Sequence, residues 1–565
     1  MSLFSTIQQS ANALSVNELG LHVVGNNVAN ANTPGYLRQE LIQTPSVPGK
    51  RGDAIVGNGV RAVGVRQKVD NFLVERLRQT ESELASSAAK GDIYNKIESI
   101  LGELTDNDLS SQLADFSNSI HDVLNQPGND SLRRLVIERG KLLTGNIRQI
   151  GQQLETMEGN INTEIQGVTG EINRLTESIA KLNTRIVELE GGRTSGSDAV
   201  GLRDERLVAL QDLSKLVDIR AVEQASGSVS VFVGGEYLVA EGIQRKVYSA
   251  VDNESSPPQP QVLLEDTNSP LEVTGGRLHG LYGARDGAID STLNSLDDFA
   301  QNLIREFNLL HSPGQGLDGF TEITSNNAAD DPLGPVDLAG FPIQVENGEF
   351  EIQVTDKTSG ISETHAIRIK LQGGLDDTTL EDIAANINAI SGLESSVNLD
   401  GTLRINSSND RLEFSFQNDN SNFLAAAGIN TFFVGDSATT IDLSSTVAND
   451  PRKFAASNTG VGSGTGNALA MAQAFDNPVD GLDGRSIKQA YEDIVVRTSQ
   501  DINVESGVTD GLRNFYRTLE SQHLATSGVN LDEEAVKMIF YQRAYQASSR
   551  VIQASAEMLD TLVNL

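Results

Sequence analysis

Apolar residues along the chain follow two rhythms, a helical one toward both ends and a strand-like one in the middle. Ile7, Leu14, Leu21 and Val28 recur every seven residues, and Phe4 and Ala11 fill part of a second row. That spacing predicts an apolar stripe on one face of a helix. The pattern stops at Asn30-Ala31-Asn32-Thr33-Pro34-Gly35-Tyr36, where Pro34 pushes Thr33 out of helical geometry and Pro-Gly favours a turn. At the other end Met538, Tyr545, Ile552 and Leu559 repeat every seven residues. Their companion row reads Ala535, Gln542, Ser549, Ala556 and Val563, so one row is large and the other mostly small, which suits close helix packing. Asn530 is the expected N-cap of this last helix, with Glu533 three residues later as its capping-box partner.

Between the ends, residues 37–66 read as an extended or weak β connection and 67–124 as mainly helical, followed by a turn at 126–130. Ile161, Ile165, Val168, Ile172, Leu175, Ile179, Leu182, Ile186 and Leu189 keep an unbroken 4-3-4-3 spacing, a heptad seam within a helix over about 131–190 that stops at Gly191-Gly192. A further helix is expected at 199–216. Val229, Val231 and Val233 before Gly234-Gly235 predict a hairpin, and Ser255-Ser256-Pro257-Pro258 a loop. Ile289, Leu293, Leu296, Ala300, Leu303, Phe307 and Leu310 form a second heptad row, ended by Ser312-Pro313-Gly314. Residues 316–449 alternate as strands, with one short helix near 379–390 and hairpin-like punctuation at Asn347-Gly348 and Asn409-Asp410. The Gly/Ser/Thr run 457–466 reads as a flexible linker, after which helices return.

These elements predict an α+β multidomain fold. A discontinuous helical bundle or coiled coil is built from both terminal regions, and β-rich outer domains are inserted into it. The expected division is 1–35 with 528–565 as a terminal coiled coil, 36–216 with 274–315 and 450–527 as a helical bundle, 217–273 as a small β domain, and 316–449 as a β-rich outer domain. Four Leu- or Ile-sized side chains on the last helix supply at most about 6–12 kcal/mol. Ordering its backbone costs about 1–2 kcal/mol per residue before hydrogen bonding is counted. The terminal helices are therefore expected to be mobile in the free monomer and to order on assembly.

Composition narrows the function. The net charge is −34 over 565 residues, which repels a phosphate backbone and an anionic bilayer, so neither nucleic acid nor membrane insertion is expected. There is no Cys, which excludes disulfides and thiolate chemistry. The first residues carry no Lys or Arg and no long apolar run, so a cleavable signal peptide is not expected. The histidines at 22, 121, 279, 311, 365 and 523 show no metal-ligand spacing. Gly460–Gly466 lacks the Lys-Ser/Thr of a phosphate loop, and Asp476, Asp480 and Asp483 do not match a calcium loop. No enzyme, cofactor or metal is therefore expected.

Two segments carry a family resemblance. Asn26-Asn27-Val28-Ala29-Asn30-Ala31-Asn32-Thr33-Pro34-Gly35-Tyr36 resembles the N-terminal signature of the bacterial flagellar rod, hook and hook-associated proteins. Ser527-Gly528-Val529-Asn530-Leu531-Asp532-Glu533-Glu534, with the helix that follows, is similar to the C-terminal segment of the same axial family. Gly275-Gly276-Arg277-Leu278, the long helix at 131–190 and the chain length are similar to its hook–filament junction members. The resemblance implies an extracellular structural subunit exported through the flagellar type III channel. It also implies self-assembly into a ring-like or helical layer, with hook protein and hook-associated protein 3 as neighbours and a chaperone on the C-terminal helix. Ile7, Leu14, Leu21 and Val28 would pack on Met538, Tyr545, Ile552 and Leu559, or on the same rows of neighbours, while Asn30, Thr33, Pro34, Gly35 and Tyr36 turn the chain out of the inner tube. The alternatives are another axial protein, such as hook-associated protein 3 or hook protein, or a secreted adhesin or enzyme on a flagellar scaffold.

Overall fold

The computed structural model describes residues 3–51, 54–102, 108–192, 196–252, 259–374 and 376–564; the loop expected at 255–258 lies outside them. Among the described residues the α-helices are α1 (Leu3–Ala29), α2 (Asn71–Leu101), α3 (Leu109–Asn125), α4 (Asp130–Glu190), α5 (Val200–Leu216), α6 (Gly276–Gly283), α7 (Asp290–His311), α8 (Leu380–Asn388), α9 (Phe423–Ala427), α10 (Ser445–Asn449), α11 (Gly466–Ala474), α12 (Ile487–Ser527) and α13 (Leu531–Val563). The strands form small sheets in which every pairing is antiparallel, so the fold is α+β with long terminal helices and a strand-rich centre. The chain divides into two compact units, one of Met1–Ile93, Gly159–Arg285 and Asn503–Leu565, the other of Tyr94–Glu158 and Asp286–Ile502. This division is coarser than the four segments outlined above and runs through residues 36–216.

In the first unit α1 is followed by a long hairpin, Gln39–Pro45 with Val60–Gln67, whose tip carries the smaller pair Gly49–Arg51 and Ala54–Val56. Ile161 through Ile186 of the heptad seam are all buried, while Leu189 in the last turn is exposed. Asparagines beside the seam attach strands to the helix. Asn183 donates to the carbonyls of Val229 and Glu241, each at 2.7 Å, and Asn173 exchanges hydrogen bonds of 2.7 and 3.0 Å with the backbone of Val247. The hairpin expected at Gly234-Gly235 forms between Val229–Val233 and Glu236–Ala240, with both glycines at positive φ. Leu73 and Leu77 of α2 pack on Leu519 of α12.

In the second unit, aromatic side chains of α3, α7 and the loops after α9 and α11 converge. Phe116 lies 5.4 Å from Phe307, 5.5 Å from Phe432 and 5.7 Å from Phe475. His311 closes α7 inside this core, fully buried; its Nδ1 donates to the Asn430 carbonyl at 2.7 Å and its Nε2 accepts from the Ala455 N–H at 3.0 Å. Both ring nitrogens are used by the neutral tautomer, and burial pushes the pKa down to about 4. The 316–449 region holds two three-stranded sheets, with Gly348–Asp356 and Leu403–Ser407 as their central strands.

Two expectations are corrected here. Asn347-Gly348 only opens a strand, and Asn409-Asp410 joins strands of different sheets; the tight turns of the module are at 357–361 and 398–402. The Gly/Ser/Thr run is not a free linker. Ser457 and Gln315 exchange backbone hydrogen bonds, Gly460 N–H donates to Gln315 Oε1 at 2.8 Å, and Gly462 N–H donates to the Gly316 carbonyl at 3.0 Å. Gly460 and Gly462 sit at φ +119° and +134°, so glycine serves a strained, pinned path rather than mobility.

His311 folds neutral with a pKa near 4, against 6.5 unfolded, so its contribution is present above 6.5 and is lost as pH falls through 4. Denaturant melts of the full chain should show a loss of about 3 kcal/mol between pH 7 and 4 that His311→Gln lacks.

Candidate assembly site at the terminal helices

α1 and α13 pack along each other. On α1 the buried residues are Val16, Gly20, Val23, Val24 and Asn27; on α13 they are Glu534 and Ser555, with Tyr541, Tyr545, Ser548, Ile552 and Leu559 half-buried along the same face. At Gly20 the helices approach closely: a Cβ there would stand 2.6 Å from the Tyr541 ring. Of the rows expected to pack, Met538, Tyr545, Ile552 and Leu559 line the contact half-buried. Ile7, Leu14 and Leu21 are half-buried and Val28 is exposed, in a row roughly 120° around α1 from its buried face. The companion row on α13 is Glu534, Tyr541, Ser548 and Ser555, one residue earlier than the expected Ala535, Gln542, Ser549 and Ala556.

A buried polar clasp closes one end of this pair. Asn27, with no exposed surface, donates to the Gln39 carbonyl at 3.0 Å and to Glu534 Oε2 at 2.9 Å. It accepts from the Tyr36 hydroxyl and the Gln39 N–H, both at 2.9 Å. All four hydrogen-bonding positions of the amide are thereby filled. Glu534 is also fully buried; its Oε1 accepts from Arg38 Nε at 2.8 Å, with Arg38 Nη2 2.7 Å away. Arg38 Nη1 lies 2.7 Å from Glu533 and holds that carboxyl below its ordinary pKa. Glu533 therefore faces Arg38 rather than completing a capping box, while Asn530 caps α13 as expected, accepting from the N–H groups of Asp532 and Glu533. The Arg38 N–H donates to the Ser527 carbonyl at the end of α12.

The motif residues shape the exit from α1. Asn30 donates back to the Asn26 carbonyl at 3.0 Å and accepts from Thr33 Oγ1 at 3.3 Å, which closes the helix; Asn26 itself is exposed. Pro34 and Gly35 follow in an exposed turn, Gly35 with φ +77°, and a Cβ on it would meet Val208 of α5 at 2.3 Å. Burial, then Asp204 and Glu534, push the Tyr36 hydroxyl up to about 12, and burial lifts Asp204 to about 6 although it accepts from the Leu37 N–H and the Gln67 amide. Gly528 and Leu531 lie on either side of the Asn530 cap, Leu531 exposed. Sequence reasoning missed Arg38 and the role of Glu534. A signal existed, since Arg38 is the first basic residue of the chain and stands two positions after the motif.

A second apolar stripe on α13 is uncovered. Val536, Phe540, Val551, Met558 and Leu562 are exposed, Phe540 at 63 %, and lie roughly 120° around the helix from the contact with α1. Phe4 of α1 is 74 % exposed.

Family profiles match three stretches of the chain: a flagella basal body rod protein profile at residues 7–36, the flagellar hook-associated protein FlgK helical domain at 94–324, and the flagellar basal body rod FlgEFG protein C-terminal profile at 520–565. Flagellar hook-associated protein 1 of Escherichia coli K12 is 24 % identical over 99 % of this chain and 100 % of its own length. The same-named protein of Salmonella typhimurium is 23 % identical with the same coverage. The chain is similar over its full length to the flagellar hook-associated protein 1 family. The Bacillus subtilis member is 27 % identical over 55 % of this chain and 68 % of its own. The structure of the flagellar hook junction protein FlgK from Burkholderia pseudomallei shares the fold, with a TM-score of 0.52 and 14 % identity over 79 % of this chain and 99 % of that one. Members of this family are structural parts of the flagellum that assemble with other flagellar components, and the chain is such a component. No described helix is long and apolar enough to cross a membrane.

The clasp predicts a contrast between adjacent asparagines. Asn27→Ala leaves the Tyr36 hydroxyl, the Gln39 backbone and Glu534 without their partner and should cost about 2–4 kcal/mol in chemical denaturation of the terminal unit, whereas Asn26→Ala should stay within about 0.5 kcal/mol.

Proposed function

We propose that the chain is the subunit of the layer that joins the flagellar hook to the filament, and that it acts by packing its terminal helices against those of neighbouring copies. The observation that carries this reading is the uncovered apolar stripe of Val536, Phe540, Val551, Met558 and Leu562 on a helix already paired through another face. A water-exposed stripe of that length is costly to keep unless something covers it. In this reading 1–35 and 528–565 form the inner tube, the helical segments 36–216, 274–315 and 450–527 surround it, and 217–273 and 316–449 face outward. Hook protein and hook-associated protein 3 are its neighbours below and above. The subunit travels unfolded through the type III channel, with an export chaperone covering the last helix until release, and its role is mechanical rather than catalytic. The hook-associated names and full-length coverage of the relatives favour the junction layer over other axial positions.

Phe540→Asp, on the open stripe, should leave the melting curve of the monomer unchanged and leave cells with hooks but no filaments in electron micrographs. Ile552→Asp, on the α1 contact, should give the same phenotype together with a destabilised terminal unit. Normal filaments in either strain would refute the packing role.

The open stripe also predicts weak protection. Hydrogen exchange in dilute monomer should show residues 5–28 and 535–562 exchanging far faster than the α4 seam, and slowing on assembly. Strong protection of both helices in the monomer would count against ordering on assembly.

A further inference from the structure

One end of the 316–449 module displays leucines outward. Leu333, Leu338 and Leu399 are 75 %, 76 % and 111 % exposed, among the most exposed large apolar residues of the chain. Two backbone hydrogen bonds bring their loops together: Ala329 N–H donates to the Gly401 carbonyl and Asp330 N–H to the Ala339 carbonyl, each at 2.9 Å. These leucines are not on slack chain. Ala329, Val336 and Ala339, in the same loops, are buried in the module core. Leu333 N–H donates to Asp331 Oδ1 at 3.0 Å, Leu338 N–H to the Pro335 carbonyl at 3.0 Å, and the turn bearing Leu399 is closed by Asp400 accepting from the Thr402 N–H and hydroxyl. Pro332 and Pro335 stiffen the same path. A rigid apolar display loses little entropy on binding, which favours contact with a partner over accidental exposure.

The surroundings select the partner. Asp330, Asp331 and Asp400 are exposed beside the leucines, and residues 316–449 carry 21 Asp and Glu against 5 Lys and Arg. A second copy of the same tip would be repelled. We propose that this tip is a docking surface for a protein partner whose contact face is apolar with a basic rim. The leucines supply the buried centre of the contact, and the aspartates steer approach and set orientation. This surface is separate from the terminal helices and does not depend on the assembly reading.

The test uses the full chain and three synthetic helical peptides: one amphipathic with Leu and Lys, one with its Leu replaced by Ser, and one with its Lys replaced by Glu. Isothermal titration should show the Leu/Lys peptide binding at least tenfold more tightly than either control. The Leu333→Ser, Leu338→Ser, Leu399→Ser triple variant should lose at least tenfold of that affinity with an unchanged melting curve. The single Leu338→Ser variant, at a side chain 76 % exposed, should lose a measurable part of it. Equal binding of the Leu/Lys and Ser/Lys peptides, or binding retained within twofold by the triple variant, overturns the proposal. A triple variant that binds normally but self-associates less in sedimentation also overturns it, because the tip would then be a contact between copies.

Discussion

Glu534 is a carboxylate with no access to water, and the arrangement of both chain ends follows from the need to compensate it. An uncompensated buried charge costs several kcal/mol, so the group must be held by a cation and by hydrogen bonds together. Arg38 and Asn27 do this from a segment some five hundred residues away in sequence. Since the Arg38 guanidinium also reaches Glu533 and the Arg38 backbone N–H donates to the last carbonyl of α12, one residue ties the exit of α1, the end of α12 and the first turn of α13 into a single joint. A buried, ion-paired polar cluster of this kind has one acceptable register, whereas an apolar seam alone tolerates sliding.

That division of labour explains the composition of the α1–α13 contact. With register set by the clasp, the seam can be made of Gly20, Val16, Val23, Ser548 and Ser555, small residues that let the helices approach closely. Small residues bury little apolar area, so the pairing itself is modest in energy. Tyr541, Tyr545, Ile552 and Leu559 flank that seam only half-buried, and other large apolar side chains, Phe540, Met558 and Leu562 among them, are left on a face that the chain does not cover. The terminal helices are thus oriented by their own chain and left incomplete by it, which is what a subunit needs if neighbours are to finish the packing.

The same point explains what the sequence could and could not disclose. Where a helix finds its partners inside the chain, periodicity read correctly: the seam from Ile161 to Ile186 is buried without exception, and Leu296, Ala300, Leu303 and Phe307 of α7 follow their row. At the terminal helices the seven-residue repeat marks the helices, but the row of Ile7, Leu14, Leu21 and Val28 lies off the α1 face that meets α13, which leaves packing on neighbouring copies as its expected role. Asn27 was visible as part of a motif, but Arg38 and Glu534 were not, since their pairing spans 496 positions and leaves no local pattern. The run at 457–466 reads as a free linker for a related reason. Glycine signals a need for unusual backbone or close approach, and only the fold tells whether that need is mobility or, as at Gly460 and Gly462, a pinned path.

Charge placement bears on how a chain of net −34 can associate with copies of itself at all. Like-charged subunits side by side repel, and the repulsion is strongest between charges closer than a Debye length of about 10 Å at 0.1 M salt. The segments assigned to the inner contact, 1–35 and 528–565, hold only six acidic residues against three basic ones, and two of the six acids, Glu533 and Glu534, are ion-paired with Arg38. The acidity is concentrated instead in 316–449. Packing between terminal helices therefore meets little electrostatic opposition at the contact itself. The excess charge sits on the module whose loops carry exposed leucines, where it can repel further copies and still attract a basic partner. The clasp serves this arrangement too: Arg38 offsets one of its two carboxylates and Lys537, 3.6 Å from Glu534, the other, which leaves little net charge to oppose a neighbouring helix.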